Sequence, residues 1–432
     1  MIDPKLLTTN PDLIRAGIRK KHADENLVDQ AIEAETARRT LRQTLESLQA
    51  ELNAGTATMP LIEKEQQTLL RVTLRALSER VKQYRAELTL LDEVFLIIMR
   101  QIPNVPFDDV PEGVSDKENI IVRTEGSKPI FDFPPKEHEQ LLTTLDLLDT
   151  KRGVKVGGTK AYYLKNELVL LEQAVLRFAL DILYGNGFEL LSVPQMAKAE
   201  AFFGAGHFTT EQDEINGDAY SLDRDGLFLA GTAEIGLINY HRDETVQEGE
   251  LPLRYAALSP CYRREAGTYG KETRGLYRVH QFQKVEMISL VRPEDSHLEH
   301  ERLLSQAEQL LKALGLHYQV VLNCGGDLGT PQAKKWDIET WLPGMGKYGE
   351  THSCSNDTDW QARSLNIKYR LRGEEKQTAY VHTLNNTALA SPRILIALIE
   401  NYQQADGSVA IPEVLQKYLP FSKIDLKSNL AY

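Results

Sequence analysis

Between residues 70 and 98 the side chains Leu70, Leu74, Leu77, Val81, Tyr84, Leu88, Leu91, Phe95 and Ile98 recur in alternating steps of four and three. Such spacing keeps one apolar stripe on one side of an α-helix and demands a partner helix to cover it. The partner precedes it: Ala34, Leu41 and Leu48 stand seven apart, interleaved with Leu45 and Leu52. Between the halves, NAGTATMP at Asn53–Pro60 gathers turn formers and a proline, which predicts the tip of a hairpin. Two antiparallel helices over Asn26–Gln101 therefore make a coiled-coil arm, the second helix reaching roughly 60 Å. Heptads alone serve dimerisation or scaffolding as readily as a nucleic acid. The arm's charges are mixed in sign, so any RNA contact would run through scattered Arg38, Arg39, Arg42, Arg71 and Arg75 touching a backbone and reading shape.

PNVP at Pro103–Pro106 ends the arm and an acidic linker follows. The chain thus divides into an N-terminal domain (1–103), a linker (104–118) and a second domain (119–432). With 432 residues, 42% of them hydrophobic, there is enough material for a large core. The net charge of −12 excludes a general polyanion binder, so nucleic-acid contact must come from local patches. Cys261, Cys324 and Cys354 have no paired spacing, which argues against a disulfide framework or a thiolate metal site and fits a reducing cytoplasm. MIDPKLLTTNPDL has no export-signal character, and no uncharged apolar run approaches a membrane span.

In the second domain, helical periodicity is expected around Lys136–Leu148, Glu167–Gly185 and Glu294–Leu314. A strand is expected from Gly187 to Pro194, a short hairpin at Ala219–Leu229, and strands at Asp337–Leu342 and Gln377–Leu384. Strands and helices do not alternate regularly. The expected class is α+β, an antiparallel sheet flanked by helices, carrying the N-terminal helical-hairpin arm.

The longest hairpin signal runs from Arg254 to Glu286, two apolar-rich segments around a loop of Gly, Thr, Lys and Arg. Its first segment ends in Arg263-Arg264-Glu265, and its second carries Phe282, Lys284 and Glu286 at every second position. Residues two apart share a face of a strand. One surface would then offer a guanidinium for phosphate, a ring for a base and carboxylates for amino groups. Elsewhere polar residues interrupt apolar segments: Thr232 and Glu234 at a turn into a helix, Glu350, Ser353 and Asn356 in ETHSCSN, and Asn385, Asn386 and Thr387 at a turn before a helix carrying Arg393. Gly325-Gly326 and GMGKYG lack the spacing of a phosphate loop and read as turns. His352 and Cys354 lack the further partners a zinc site needs.

Pro194, the Arg263-x-Glu265 hairpin with His280-Gln281-Phe282, and the helix with Arg393 resemble the three signature motifs of class II aminoacyl-tRNA synthetases. With Gly231-Thr232-Ala233-Glu234, ETHSCSN, HTLNNTALASPR and the helical arm, the chain resembles, end to end, the bacterial-type seryl-tRNA synthetases. That resemblance implies serine activation by ATP to seryl-adenylate, then transfer to the 3′-end of tRNA(Ser), and also of tRNA(Sec). It implies that Arg263 grips the α-phosphate, Glu265 and nearby main chain hold adenine, Phe282 stacks on the purine, and Arg393 meets the γ-phosphate. Arg263, Glu265 and Arg393 are the implied catalytic residues. Arg264, Val279, Lys284, Thr351 and His352 are implied to complete the ATP site, with Glu350 and Ser353 holding Mg²⁺. Serine is implied to sit among Thr232, Ala233, Glu234, Arg263, Glu286, Asn385 and Thr387. Many family members carry Gly-Ser-Gly where this chain has Asn386-Thr387-Ala388, and the hydroxyl is kept.

The resemblance also implies a cytoplasmic homodimer, joined near the strand that ends at Pro194, whose arm reaches the long variable arm of tRNA. The Gly267–Gly275 loop would face the acceptor end. A ligase loading a carrier protein would lack the long arm, and a catalytically dead RNA-binding paralogue would have lost Arg263, Glu265, Glu286 or Arg393. All four are present.

Overall fold

A computed structural model describes every residue except 267–274, 375 and 427–432. The arm is α1 (Asn26–Thr58) and α2 (Lys64–Gln101), joined by one 3-10 turn at Met59–Leu61. Leu48, Leu77 and Val81 are buried along the seam, with Leu45, Leu52 and Tyr84 packed on them. The expected turn at Asn53–Thr58 is helical, and only Met59 and Pro60 lie in the actual turn. Gly55 is there to let α2 approach, since a Cβ on it would lie 2.5 Å from the Leu74 side chain. The hydroxyls of Thr56 and Thr58 donate to carbonyls four residues back, so these turn formers satisfy themselves inside a helix. Arg38 is committed within the arm to Asp92 (2.6 Å) and Glu35 and covers Phe95. Arg39, Arg42, Arg71 and Arg75 remain on the surface.

The second domain is built on one eight-stranded sheet. Its main elements are, in chain order, β1 (Ile120–Glu125), α3 (Glu167–Gly185), β2 (Glu189–Leu190), β3 (Leu253–Tyr262), β4 (Gln281–Val291) and α4 (Ser296–Ala313). Then come β5 (Tyr318–Leu322), β6 (Lys334–Leu342), β7 (Lys347–Asn356), α5 (Trp360–Leu365), β8 (His382–Ala390) and α6 (Ser391–Asn401). The strand order is β1-β5-β6-β7-β8-β4-β3-β2, antiparallel throughout except for β2 beside β3.

Alternation along β3 and β4 separates two cores. Ala256, Val285 and Met287 join the large cluster beneath α3, α4 and α6, whereas Tyr255, Ala257 and Ile288 join a second cluster with Phe202, Phe208 and Ile235 on the other face. A third cluster gathers Ile14, Ile18, Met99 and Ile102 around the buried Trp360, anchoring the arm's base to the sheet domain.

Two local expectations change. The strand before Pro194 pairs only at Glu189–Leu190, because it runs at the sheet's edge. ETHSCSN is the second half of β7, and Asn385–Thr387 lie inside β8 rather than at a turn. Their turn-like composition is overridden by partners on both sides.

His300 and His352 are buried, and each donates Nε2–H to a carbonyl, of Cys354 (3.1 Å) and Ala388 (2.9 Å). Burial holds both imidazoles down to about 4, below their ordinary 6.5. Between those limits the unfolded chain binds protons that the folded chain refuses, so their stabilisation is full above pH 6.5 and is lost as pH falls towards 4. Each histidine is expected to contribute on the order of 3 kcal/mol to this acid loss. Urea unfolding at a series of pH values checks it: His300→Gln is expected to lessen the slope, and an unchanged slope would refute the account.

Candidate active site

Phe282, Lys284 and Glu286 share one face of β4, and all three line a cavity of about 470 Å³. The end of β3 delivers Arg263 and Glu265 to the same cavity. Two β-bulges complete it. Across β4 and β8, Val285 faces Leu389 while Glu286 faces Thr387, leaving Ala388 unpaired. Across β6 and β7, Ile338 faces His352 while Glu339 faces Glu350, leaving Thr351 unpaired.

Residues three apart on a regular strand face opposite ways, but an inserted residue re-aims its neighbours. Glu350 and Ser353 therefore line the cavity together, as do Thr387 and Ala390. The imidazole of His352 joins the two bulges: its Nε2 donates to Ala388 O, and its Nδ1 lies 2.8 Å from Thr351 Oγ1.

One end of the cavity is acidic. Lys284 and Glu286 form a buried ion pair, and the Thr232 hydroxyl donates to Glu286 at 3.4 Å. Burial raises the Glu286 carboxyl, against the opposing charge of Lys284. Glu234 accepts from Gln361 Nε2 (2.8 Å) and Asn385 Nδ2 (3.3 Å), and meets His207 Nε2 (3.3 Å). Burial pushes Glu234 up, but His207, Gln361 and Lys284 carry it below the usual carboxylate range. Asp357 is raised well above that range by burial, with the charge of Glu234 reinforcing it. Neighbouring carboxyls pushed in opposite directions suit a ligand cation held by hydrogen bonds.

The other end is cationic. Arg263 Nε donates to Gly231 O (3.1 Å), and its guanidinium lies 5.3 Å from the Phe282 ring centroid. Arg393 donates to Glu350 O (2.7 Å), stands 3.4 Å from the Glu350 carboxylate and covers Tyr277. Glu265 has φ 53°, left-handed for a residue with a Cβ, and pairs with Arg278 at 2.8 Å. Such a conformation costs on the order of 1–2 kcal/mol and persists where surroundings enforce it. Two held guanidiniums and an open ring suit the phosphates and base of a nucleotide. Among the described residues no cysteine lines this cavity, and both nitrogens of His352 are already engaged, an arrangement suited to positioning rather than to nucleophilic attack by a side chain.

Of the expected residues, Thr232, Glu234, Arg263, Glu265, Val279, Phe282, Lys284, Glu286, Glu350, Thr351, His352, Ser353, Asn385, Thr387 and Arg393 all line the cavity. Two do not. Arg264, one position out of phase with its neighbours, turns its guanidinium to the carbonyls of Ile215 and Gly217. Ala233 is buried in the second apolar cluster. His207, Tyr277, Arg278, Asp357 and the 329–332 segment line the cavity without having been expected. A pattern of single polar residues in apolar runs would have found Asp357, but not the 329–332 segment, whose Gly, Thr and Pro read as a loop. The Gly267–Gly275 loop falls, but for Gly275, outside the described residues.

Glu350 and Ser353 offer a carboxylate and a hydroxyl, hard oxygen donors, on the cavity wall beside Arg393. That donor set fits a magnesium ion. Among the described residues no group of three or more His, Cys, Asp or Glu side chains stands together as a metal cage.

Residues 1–106 match the family model for the seryl-tRNA synthetase N-terminal domain, and residues 218–402 that for the tRNA synthetase class II core domain (G, H, P, S and T). The serine–tRNA ligase of Treponema denticola is 42% identical over 98% of this chain and 100% of its own length. That of Dictyoglomus thermophilum is 43% identical over 99% and 100%. The crystal structure of seryl-tRNA synthetase from Pyrococcus horikoshii complexed with ATP superposes with a TM-score of 0.91 at 36% identity, covering 99% of this chain and 100% of that one.

Removing one partner of the Lys284–Glu286 pair leaves a buried charge unanswered, so Lys284→Met is expected to cost about 3–5 kcal/mol in urea unfolding. Lys284→Met with Glu286→Leu is expected to recover most of that loss. A double variant as unstable as the single one would show that the pair's burial is not what matters.

Proposed function

Since the chain belongs to the seryl-tRNA synthetases and is a serine–tRNA ligase that uses ATP, we propose that the cavity's two ends divide the work between serine and ATP. The observation that carries this reading is the charge separation along one sheet face: guanidiniums and Phe282 at one end, carboxylates and Thr232 at the other. L-Serine sits at the acidic end. Its ammonium meets Glu234 and Thr232, and its hydroxyl meets Glu286 and Thr387, with Asn385 holding Glu234 in place. ATP lies along Arg263, Phe282 and Arg393, with Glu265 and the main chain near Val279 on adenine and the main chain of Thr351 and His352 behind it. Glu350 and Ser353 would hold Mg²⁺, which would neutralise phosphate charge.

The serine carboxylate attacks the α-phosphorus in line and pyrophosphate leaves. Arg263 is pre-set for the charge developing there, because Gly231 O and the Phe282 ring fix its guanidinium before substrate arrives. A terminal ribose hydroxyl of tRNA then attacks the seryl carbonyl and AMP leaves. Neither step needs a covalent protein intermediate.

A pocket built to bond the side-chain hydroxyl loses that bond to Glu286 and Thr387 when alanine or glycine enters, which is worth ~10⁴-fold or more in discrimination. Threonine is excluded by size.

In the same reading the chain divides into 1–103, 104–118 and 119–432. In our reading the arm recognises the backbone and shape of tRNA(Ser), and of tRNA(Sec) where one exists, through surface residues such as Arg39, Arg42, Arg71 and Arg75. A homodimer is supported by Val169, Leu170 and Tyr184, apolar and exposed on α3 beside the edge strand β2. Three free, buried cysteines agree with a reducing cytoplasm, and no described helix is long and apolar enough to cross a membrane.

ATP–pyrophosphate exchange with serine, threonine, alanine and glycine tests the assignment. Exchange is expected with serine, and Arg263→Ala is expected to reduce it by about 10²–10³-fold. Deleting residues 26–101 is expected to spare exchange and abolish tRNA charging. Loss of both activities by a folded deletion variant would contradict the division between arm and site.

A further inference from the structure

Lys21 precedes α1 and Asn104 follows α2, so both belong to the base of the arm. Both nevertheless direct their side chains to the wall of the cavity. Lys21 Nζ donates to the main-chain carbonyls of Gly329 (2.9 Å), Thr330 (3.2 Å) and Gln332 (2.5 Å). Asn104 takes the same segment from the other side: its main-chain N–H donates to Thr330 O, and its Nδ2 to Pro331 O, Asp357 O and Thr358 Oγ1, each at 2.8 Å.

The gripped segment, residues 329–332, lines the cavity. Pro331 packs so tightly on Gly206 that a Cβ there would lie 3.0 Å from its ring, and the φ of +81° at Gly206 sets the course of the chain into His207. Gln332 Nε2 donates to Ser355 Oγ at 2.8 Å. A relay continues from Asp357: Asn385 Nδ2 donates to Asp357 Oδ2 (3.0 Å) and also meets Glu234 Oε1 (3.3 Å). The main chain of Asp357 is held by Asn104 and by Thr383 O, whereas among the described residues its side chain is bonded through Asn385.

We propose that Lys21 and Asn104 are positioning residues for serine: they clamp the 329–332 wall and, through Asp357 and Asn385, fix the Glu234 carboxylate, so that the arm's base and the serine end of the cavity form one unit. The inference rests on reading Glu234 as the partner of the serine ammonium. The contacts are contiguous, running from the half-buried Lys21 to the buried Asp357 and Asn385, and three carbonyls converging on one ammonium restrict the arrangement of that segment. ATP lies at the far end, against Arg263 and Arg393, and touches none of the relay. A purely structural clamp would affect both substrates alike; this one discriminates between them.

The test is the KM for serine, the KM for ATP and kcat in pyrophosphate exchange, measured on the full chain with Lys21→Met, Lys21→Arg and Asn104→Ala. Losing a charged hydrogen bond corresponds to roughly tenfold, so Lys21→Met and Asn104→Ala are expected to raise the serine KM about tenfold while the ATP KM moves less than about twofold. Lys21→Arg, which keeps the donors, is expected to restore most of the serine affinity. An unchanged serine KM, or equal rises in both KM values, overturns the proposal. Should the arm-base variants fail to fold, Asp357→Ala enters the relay from the cavity side: a selective rise in serine KM supports it and an unmoved serine KM overturns it. The underlying reading is tested apart, by Glu234→Gln: a serine KM unchanged there sinks the assignment of Glu234 itself.

Discussion

A carboxylate buried to 2% exposure in the middle of a sheet must be answered, or the strand that carries it will not pair; Glu286 is that carboxylate. The answer is Lys284, two residues away on the same face of β4, and the strand's period of two supplies Phe282 beyond it. A ring, a cation and an anion then stand in a row on one surface. The facing strand β8 must offer hydrogen-bonding groups where a core strand would offer leucines, and it offers Asn385 and Thr387. The site's chemistry follows from how the sheet tolerates one charge.

Strand alternation alone would have scattered the remaining groups. Glu350 and Ser353 would face opposite ways, as would Thr387 and Ala390, had Thr351 and Ala388 not been added as unpaired residues. Each bulge weakens its ladder locally. His352, neutral because it is buried, restores a bond between the two weakened places. It belongs to the site as the link between its bulges, which is a different thing from touching a ligand.

The heptad stripe from Leu70 to Ile98 was legible because a seam is a purely local rule, and the hairpin face from Arg263 to Glu286 because alternation is another. The helix through Asn53–Thr58 was not, since Gly and Thr read as breakers until Leu74 of the other helix is seen filling the space above Gly55. Asn385–Thr387 looked like a turn because nothing in the sequence shows that β4 and β7 will satisfy them. Arg264 and Ala233 were carried into the site by standing next to residues that belong there, and a phase of one residue takes them out. The 329–332 wall was illegible for a further reason: it contributes carbonyls, which every residue has.

The arm has two separate apolar anchors, and the gap between them is consequential. The seam cluster of Leu48, Leu77 and Val81 lies well out along the hairpin, while the base cluster of Ile14, Ile18, Phe95, Met99 and Ile102 surrounds Trp360 of the sheet domain. Among the described residues the outer seam cluster packs helix against helix, apart from the core of the sheet domain. The base does not, because Trp360 is wholly buried in it and donates to Ile102 O at 3.2 Å. Lys21 and Asn104 lie on the base side of that boundary. Packing thus separates the arm's outer seam from its base, and it is the base, packed on Trp360, that places residues against the pocket wall.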